Sequence, residues 1–356
     1  MRCMSFLLVT GIGLGCVAPV QEGVTPTAGL VGFEAALDAL RVSHDIPSLS
    51  AAIVSEGEIR WSRGFGLADP PAGTAATAST SYHLASLTKP YAAVLMMQLV
   101  EQDLVELDDP VAQYGIDVES AGTVRLRHLL NHTSAGVPGD SYRYAGGRFG
   151  RIDAVFEAVS GKTFGELLVE RILRPLGLEQ TAPNTEHSAF DLTGFSREEF
   201  LANTARPYGV GDAGVEPARY QTRFSPAAGM VGSVEDMARF SIAIDERQLL
   251  TEEATRTMFT PAVSNAGATL PYAIGWFVTA HQGVEFQWHY GWWDATSTLI
   301  VRVPEKGLTF VVMANTDAMS SRHRRLGAGD LLDSPFARLF LDSFVYGTEP
   351  LPSGAQ

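Results

Sequence analysis

The chain has 356 residues, of which 46% are hydrophobic and 19% are charged, and these proportions are typical of a folded globular protein rather than a disordered or fibrous one. The formal net charge of −14 would repel the phosphates of nucleic acid, so nucleic acid is not expected as a partner. The length is sufficient for a large core or for two closely packed lobes.

The first 20 residues have the features of an export leader. Arg2 provides a positive start, and the apolar or small stretch Phe6–Val17 is long enough for a signal peptide but too short to span a bilayer. Cys16 follows a Gly-Leu-Gly tripeptide that loosely resembles a lipobox, the sequence at which bacterial lipoproteins are cleaved and lipidated. Cleavage nearby without lipidation and an ordinary buried N-terminal element are the alternatives. We therefore expect an exported protein that is periplasmic, lipid-anchored to the bacterial envelope through Cys16, or secreted.

The elements predicted in the first third of the chain are two helices with a hairpin between them. Apolar spacing indicates the helices, and two strand-like runs on either side of Glu56-Gly57 indicate the hairpin. A small and polar stretch at 75–81 predicts a loop, and Asp108-Asp109-Pro110 breaks the second helical pattern. The predicted elements are a helix at 33–42, strands at 48–54 and 59–66, and a helix at 86–105.

The middle of the chain is predicted to be helical, and its end returns to strands. Ser233, with Asp236 three positions later, forms a capping-box-like start for one helix. The sequence PEKG at 304–307 predicts a turn between the last two strands. The predicted helices are at 127–131, 152–160, 164–173, 234–244 and 252–259, the strands at 273–280, 284–289, 296–303 and 308–314, and a closing helix at 331–344.

These elements predict an α+β architecture with two lobes and one cleft. Strands near both ends of the chain would join one antiparallel sheet flanked by the terminal helices, and the middle would form an inserted all-helical lobe. We expect a leader at 1–20 followed by a single domain at about 30–348. Its α/β lobe would comprise about 30–82 and 271–348, and its helical lobe about 83–270.

Ser86 and Lys89 form a Ser-x-x-Lys pattern at the predicted start of a helix. Residues three apart share a helix face, so Lys89 would project beside the Ser86 hydroxyl. A serine hydroxyl needs such a base to become a nucleophile, and a lysine can be that base only if its pKa is lowered. The helix N-terminus would also direct backbone N–H groups toward a developing oxyanion. On its own, the tetrapeptide is more typical of a helix cap followed by a solvated lysine.

Seven segments place this pattern in a wider context. They are LASLTKP at 84–90, LVEQDL at 99–104, LDDPV at 107–111, RLRHLLNHTSAG at 125–136, VSGK at 159–162, PLGL at 175–178 and PAAGMVGSVEDMARF at 226–240. In sequence and in order they resemble the superfamily of serine β-lactamases, DD-peptidases and related esterases, over about 46–317. The resemblance implies the β-lactamase and transpeptidase fold and acyl-enzyme chemistry, with Ser86 as nucleophile and Lys89 as its proton acceptor.

The resemblance implies a second catalytic motif, Tyr-x-Asn, which falls in PGDSYRYAG at 138–146. Tyr144 matches the tyrosine that shuttles protons to and from the nucleophile and the leaving group. Gly146 stands where the family has the asparagine that binds the acylamide side chain of the substrate, and glycine cannot replace that amide. The stretch between Ala135 and Pro138 is also shorter than is common in the family. The alternative is that Tyr144 only packs in a loop of a degenerate site.

The third implied motif, Lys-Thr-Gly or His-x-Gly on a strand beside the nucleophile, matches WHYGW at 288–292. His289 would replace the carboxylate-binding lysine, and binding would be weaker and pH-dependent because histidine is neutral near pH 7. Gly291 would let the substrate approach the strand closely. The N–H of Trp292 would form an oxyanion hole with that of Ser86. The alternative is that His289 is a packed core residue.

No cofactor or metal is predicted. His128 and His132 are four residues apart, which is a possible metal-ligand spacing, but no third ligand accompanies them. The family segment explains both histidines as structural.

These observations predict a serine hydrolase that acts through an acyl-enzyme on a small ester, amide or peptide. Gly146 and His289 argue against a potent β-lactamase and favour small esters or amides. The alternatives are a D-amino-acid peptidase, a weak β-lactam-binding protein, and a catalytically weak binding homologue that keeps the fold. A membrane is expected as a partner only through a lipid anchor at Cys16.

Overall fold

The computed structural model of the protein describes residues 28–211 and 214–347. The predicted leader and the predicted lipidation site at Cys16 lie outside the described residues. In the part of the chain that is described, no helix has both the length and the apolar character needed to cross a membrane.

One antiparallel sheet of seven strands forms the centre of the fold, in the order β3-β2-β1-β11-β10-β9-β8. Two short two-stranded sheets, β4-β7 and β5-β6, accompany it. The strands are β1 Ser48–Ser55, β2 Glu58–Asp69, β3 Thr74–Ala75, β4 Tyr82–His83, β5 Tyr208–Gly211, β6 Gly214–Pro217, β7 Val231–Gly232, β8 Phe277–His281, β9 Val284–Trp293, β10 Thr296–Val303 and β11 Leu308–Ala314.

The described residues also form α-helices on both sides of this sheet and in the insertion between its strands. Short 3₁₀ turns link many of them, including Ala85–Leu87 and Gly150–Ile152. The α-helices are α1 Ala28–Ser43, α2 Thr88–Glu101, α3 Leu126–Leu130, α4 Gly146–Phe149, α5 Asp153–Ser160, α6 Phe164–Leu168, α7 Arg197–Ala202, α8 Val234–Asp245, α9 Glu252–Met258, α10 Ala318–Ser321 and α11 Pro335–Phe340.

Both faces of the large sheet are buried, because helices cover each of them. On one face, Phe310 of β11 packs against Phe33 of α1 and Phe340 of α11, with ring centroids 5.9 and 5.0 Å apart. On the other face, α8 packs on β1 and β11, and the Ser241 and Thr309 hydroxyls form a hydrogen bond of 3.1 Å. Successive side chains of a strand point to opposite faces, so β11 contributes to both cores.

The predicted fold class, an α+β architecture with one antiparallel sheet flanked by terminal helices, is confirmed. One detail is corrected: the predicted all-helical lobe also contains the β5-β6 hairpin, whose second strand is exposed, and the short strand β7. The predicted bounds of β10 and β11 agree with the structure, whereas the second predicted helix begins at Thr88 and ends at Glu101. The closing helix is interrupted before Pro335, because proline has no N–H to continue a preceding helical turn.

Candidate active site

Ser86 lies in the 3₁₀ turn Ala85–Leu87 that precedes α2, whereas the sequence predicted it as the first residue of the helix itself. Ala85 has a φ of +46°, a conformation that is unfavourable for a residue with a Cβ and persists only where the surroundings enforce it. Here the Thr298 hydroxyl donates to the Leu84 carbonyl at 3.0 Å, and the Thr88 hydroxyl donates to the Ala85 carbonyl at 2.8 Å. The turn that carries Ser86 is therefore held from both β10 and α2.

Gly291 on β9 allows this strand to lie against the same turn. A Cβ at Gly291 would be 2.2 Å from the Thr298 hydroxyl oxygen and 2.4 Å from the Leu84 carbonyl oxygen, distances that no real side chain tolerates. From the sequence, Gly291 was expected to let the substrate approach the strand closely. The structure corrects the reason: the space that Gly291 leaves is filled by the turn that carries Ser86.

Lys89, in the first turn of α2, lies beside Ser86. Its Nζ donates to the Ser86 Oγ at 2.9 Å and to the Ala227 carbonyl at 2.8 Å. The side chain is only 1% exposed, and burial lowers the pKa of Lys89 to about 7 because a charged ammonium loses its hydration there. Near neutral pH a large fraction of Lys89 is therefore neutral and can accept a proton.

Tyr144 lies on the other side of Lys89, with the Lys89 Nζ 5.0 Å from the centre of its ring. Burial raises the pKa of Tyr144, the neighbouring Tyr290 adds to this rise, and the nearby Ser86 hydroxyl opposes it. The Tyr144 hydroxyl has no hydrogen bond of good geometry to any described residue. Tyr144 is thus a neutral phenol close to Ser86 and Lys89, with its hydroxyl buried behind the residues that line the cleft.

Gly146 is the first residue of α4 and lies next to Lys89. A Cβ at this position would be 3.7 Å from the Lys89 Nζ, which is an ordinary contact distance. A longer side chain at residue 146 would therefore reach Lys89, and glycine leaves that space to the cleft.

His289 does not face the cleft as the sequence analysis expected. It is fully buried, its Nε2 is 2.8 Å from the Tyr272 hydroxyl and its Nδ1 is 2.7 Å from the Tyr290 carbonyl. The carbonyl can only accept, so Nδ1 carries the proton and Nε2 accepts from Tyr272. Burial and the nearby Lys89 keep the pKa of His289 well below its ordinary value. His289 therefore has no free nitrogen to bind a substrate carboxylate, and that expectation is corrected.

His132 is a neighbour of the site that sequence reasoning treated as structural. Its ring lies 4.3 Å from the ring of Tyr144, and its Nδ1 accepts from the Ala145 N–H at 3.2 Å. Burial, Lys89 and His289 together lower the pKa of His132 well below its ordinary value. The family-like segment RHLLNHTSAG, which contains His132, was the sequence feature that could have identified it as a neighbour of the site. The Ala227 carbonyl was also missed, because a backbone acceptor leaves no trace in residue type.

Ser86, Lys89, Gly146 and Trp292 line one cleft of about 470 Å³. Trp292 is 43% exposed and lies on the part of β9 that extends beyond its pairing with β8, which ends at Trp288. The Ser86 N–H has no acceptor among the described residues. The cleft thus contains a hydroxyl, a buried amine and the Ser86 N–H, which has no acceptor among the described residues, beside a part of β9 that β8 does not cover.

His128 and His132, which are four residues apart, each accept a backbone N–H at Nδ1. The Nδ1 of His128 accepts from the Arg125 N–H at 3.1 Å, as the Nδ1 of His132 does from Ala145. Within residues 28–211 and 214–347, no group of three or more His, Cys, Asp or Glu lies together as a metal site.

Comparison with curated proteins gives distant relatives. The unguisins hydrolase of Aspergillus campestris is 25% identical over 78% of this chain and 60% of its own length. The D-aminopeptidase of Gluconobacter oxydans is 25% identical over 80% of this chain and 58% of its own. The chain thus spans about three fifths of the length of these relatives.

Solved structures share the fold. A penicillin-binding protein homologue from Pyrococcus abyssi superposes with a TM-score of 0.72 and 22% identity, over 81% of this chain and 74% of the other. The D-amino acid amidase of Ochrobactrum anthropi SV3 gives a TM-score of 0.68 and 20% identity, over 82% and 92%. The sequence model of the Beta-lactamase family matches residues 33–332. Because this match covers most of the chain, the protein belongs to the beta-lactamase family.

Proposed function

We propose that the protein is a serine hydrolase that acts through an acyl-enzyme on small esters or amides, with Ser86 as nucleophile and Lys89 as general base. The observation that carries the proposal is the pair itself. The Lys89 Nζ lies 2.9 Å from the Ser86 Oγ, and burial lowers the pKa of Lys89 to about 7. Hydrogen-bond contact and a pKa near the working pH are the two properties that a general base needs.

In the acylation step, neutral Lys89 takes the hydroxyl proton of Ser86 while Oγ attacks the carbonyl carbon of the substrate. The carbonyl oxygen becomes an oxyanion, which the N–H groups of Ser86 and Trp292 stabilise. The absence of a protein acceptor for the Ser86 N–H among the described residues supports this role. Lys89 keeps the added proton in contact with the Ala227 carbonyl.

The leaving group departs when its bond to the carbonyl carbon breaks and it receives a proton. Tyr144 gives its phenolic proton to the leaving group and takes one from the Lys89 ammonium, so that neither residue changes its net protonation over the step. A water then attacks the acyl-enzyme, Lys89 accepts its proton, and the proton returns to the Ser86 Oγ as the acyl group leaves. The raised pKa of Tyr144 supports this role, since the phenol stays protonated between transfers.

The substrate preference rests on what the site lacks. No side-chain amide is present at Gly146 to bind an acylamide, and both nitrogens of His289 are engaged within the protein. An activated ester needs neither contact, because its leaving group departs more readily. Trp292 and Trp293 line the cleft and favour an apolar portion of the substrate.

A second candidate substrate class is amides or peptides of D-amino acids. Two similar proteins support it, the D-aminopeptidase of Gluconobacter oxydans and the D-amino acid amidase of Ochrobactrum anthropi. The same nucleophile and base would serve amide and ester hydrolysis.

Labelling with a fluorophosphonate probe tests the nucleophile. The probe should form one covalent adduct on Ser86 in the wild type, because among residues 28–211 and 214–347 this is the hydroxyl in contact with a buried amine of lowered pKa. Mass spectrometry of the digested protein locates the adduct, and Ser86→Ala provides the blank. An adduct on another serine, or no adduct together with no ester hydrolysis, would favour the alternative of a binding homologue without catalysis.

We also propose that residues 1–20 direct export and that Cys16 carries the lipid anchor. The support is the leader-like composition of this segment and its lipobox-like tripeptide. Expression of the full chain in a bacterial host tests the proposal. The wild type should be found with the membrane fraction, and Cys16→Ser should not. Recovery of both proteins in the cytoplasm would contradict export.

A further inference from the structure

Two arginines without acidic partners line the cleft that contains Ser86. They are Arg151, in the 3₁₀ turn after α4, and Arg223, in the segment that leads to Ser225 and Ala227. Gly150 joins the two segments, since a Cβ there would be 3.3 Å from the Ala227 Cβ and 3.4 Å from the Ser225 hydroxyl oxygen. The two arginines therefore line one cleft from adjacent parts of the chain.

The charges of this cleft contrast with those of the whole protein. The chain has a formal net charge of −14, but no Asp or Glu lines the cleft. Some arginines elsewhere pair with acids, as Arg197 does with Asp191. Neither Arg151 nor Arg223 has a carboxylate at ion-pair distance among the described residues. The acid beside Trp293, Asp294, accepts a hydrogen bond from Gln221 at 2.6 Å and does not line the cleft.

We infer that Arg151 and Arg223 are specificity residues that bind an anionic group of the substrate, so that the preferred substrates are esters or amides bearing a carboxylate. This inference rests on the proposed hydrolase function and names its substrate class. A guanidinium presents a planar set of donors that matches a carboxylate, and a cleft lined by charge of one sign concentrates ligands of the other sign. Trp292 and Trp293 in the same cleft suit the apolar chain between this carboxylate and the scissile carbonyl.

This cleft is not suited to substrates with a free amine. A substrate ammonium in the cleft would face two guanidinium groups and no carboxylate, which disfavours its binding. Esters with a carboxylate, with a neutral group and with an amine at the same position should therefore be hydrolysed in that order of efficiency.

Matched esters test the inference in the full chain. For a carboxylate on the acyl portion, mono-4-nitrophenyl suberate is compared with its methyl ester, and the 4-nitrophenyl ester of 7-(trimethylammonio)heptanoic acid provides the cationic arm, because neither charged group can cyclise onto its own ester. For a carboxylate on the alcohol portion, 4-acetoxybenzoate is compared with its methyl ester. In the series whose carboxylate reaches the arginines, we expect kcat/KM to be about tenfold higher for the carboxylate ester than for its neutral methyl ester. A ratio of this size corresponds to one charge-assisted hydrogen bond. This preference should fall as salt is raised.

The variants Arg151→Ala, Arg223→Ala and their double variant identify the residues responsible. The ratio of carboxylate to neutral ester should fall in each single variant and approach one in the double variant, whereas the Arg→Lys variants should keep part of it. Arg219→Ala is the matched control, because it removes the same charge from an exposed residue four positions before Arg223 that does not line the cleft. The ratio should stay at its wild-type value in that control.

Binding to Ser86→Ala separates this inference from the proposed function. Calorimetry with the intact esters should give tighter binding for the carboxylate than for the neutral ester, whether or not the wild type hydrolyses either. Equal binding and equal kcat/KM in both series would overturn the inference while leaving the hydrolase in place. An equal loss of the ratio in Arg219→Ala would also overturn it, since a general charge effect would then explain the preference.

Discussion

At the scale of single residues, the chemistry of the site depends on how completely Lys89 is buried. Its ammonium has no carboxylate partner among the described residues, and its polar contacts are the Ser86 hydroxyl and the Ala227 carbonyl. The surrounding rings of Tyr144 and Phe149 exclude water and offer only a weak attraction to a cation. Desolvation therefore dominates and lowers the pKa of Lys89 to about 7.

The pH dependence of ester hydrolysis should follow the titration of Lys89. Protonated lysine cannot accept the Ser86 proton, so kcat/KM should rise about tenfold per pH unit at low pH and level off above a pH of about 7. Lys89→Arg should be nearly inactive at every pH, since arginine keeps its proton. Rates with a p-nitrophenyl ester between pH 5 and 9 provide the measurement, with unfolding temperatures as a control for folding. A flat profile, or activity of Lys89→Arg within a few-fold of the wild type, would exclude Lys89 as the base.

Residue 146 should control the balance between β-lactams and esters. Gly146→Asn would place an amide beside Lys89, because a Cβ at this position lies 3.7 Å from the Lys89 Nζ. We expect wild type to hydrolyse short p-nitrophenyl esters with a higher kcat/KM than nitrocefin, and the variant to shift this ratio toward nitrocefin by about two- to tenfold, the effect of one hydrogen bond. Gly146→Ala is the control that adds a Cβ without an amide, and Ser86→Ala is the blank at pH 7.5. Efficient nitrocefin turnover by the wild type with negligible ester hydrolysis would contradict the preference.

The contact between Ser86 and Lys89 could be anticipated from the sequence, because a spacing of three residues places side chains on one helix face. The position of His289 could not. Its exposure is set by Tyr272, which lies 17 residues away and supplies the hydroxyl at its Nε2. Which residues surround a buried ring is decided by tertiary packing, and no local pattern carries that information.

At the scale of elements, the site is held by the approach of β9 and β10 to the turn before α2. Thr296 and Thr298 on β10 donate to the carbonyls of His83 and Leu84 at 2.6 and 3.0 Å. These bonds and Gly291 fix the turn in which Ala85 has a positive φ. The position of Ser86 therefore depends on the sheet as much as on the helix that follows it.

Gly291→Ala should separate the sheet from the turn that carries Ser86. The new Cβ would meet a backbone carbonyl, Leu84 O, at 2.4 Å, so the backbone itself must move. We expect kcat/KM for esters to fall at least about a hundredfold, because displacement of catalytic groups by about 1 Å has effects of this size. The unfolding temperature should fall as well.

Gly32→Ala is the control for the change at Gly291, because a Cβ at this position in α1 meets nothing within 4 Å. Alanine is a better helix former than glycine, so this variant should keep its activity and be slightly more stable. Activity of Gly291→Ala close to that of the wild type would contradict the role of the glycine. Stopped-flow or steady-state rates and thermal unfolding of the two variants decide between these outcomes.

Strands and helices were predictable to different extents. The bounds of β10 and β11 agreed because the turn at 304–307 marks the end of one strand and the start of the other. The first residues of the predicted strand 273–280 instead form a turn, in which Gly275 has a φ of +73° and lies against Ala93 of α2. The β5-β6 hairpin was missed because its second strand is exposed along its length and lacks an alternating apolar pattern.

At the scale of the whole molecule, the central sheet joins two hydrophobic cores. One core lies between the sheet and the terminal helices, and the other between the sheet, α8 and α2. The resemblance of seven segments to one superfamily, together with strands at both ends of the chain, was enough to predict the antiparallel sheet, the terminal helices on it and the inserted lobe, but not the two cores. The insertion of the helical lobe between strands of one sheet also implies that the lobes fold together, because the sheet is incomplete until β11 pairs with β1.

The two cores should therefore unfold in a single transition. Phe310 and Met313 are both fully buried on β11, but Phe310 belongs to the core under the terminal helices and Met313 to the core under α8. Phe310→Ala should reduce the free energy of unfolding by about 3–5 kcal/mol and Met313→Ala by about 2–5 kcal/mol, the range for cavities of this kind. In each variant, circular dichroism, tryptophan fluorescence and the loss of ester hydrolysis should report one common unfolding temperature, which is lower than that of the wild type. Val263→Ala, which truncates a side chain that is 61% exposed, should leave that temperature nearly unchanged. Two separate transitions in either variant would show that the lobes unfold independently. Because the turn that carries Ser86 is held by the sheet, ester hydrolysis should not persist at temperatures at which the sheet has unfolded.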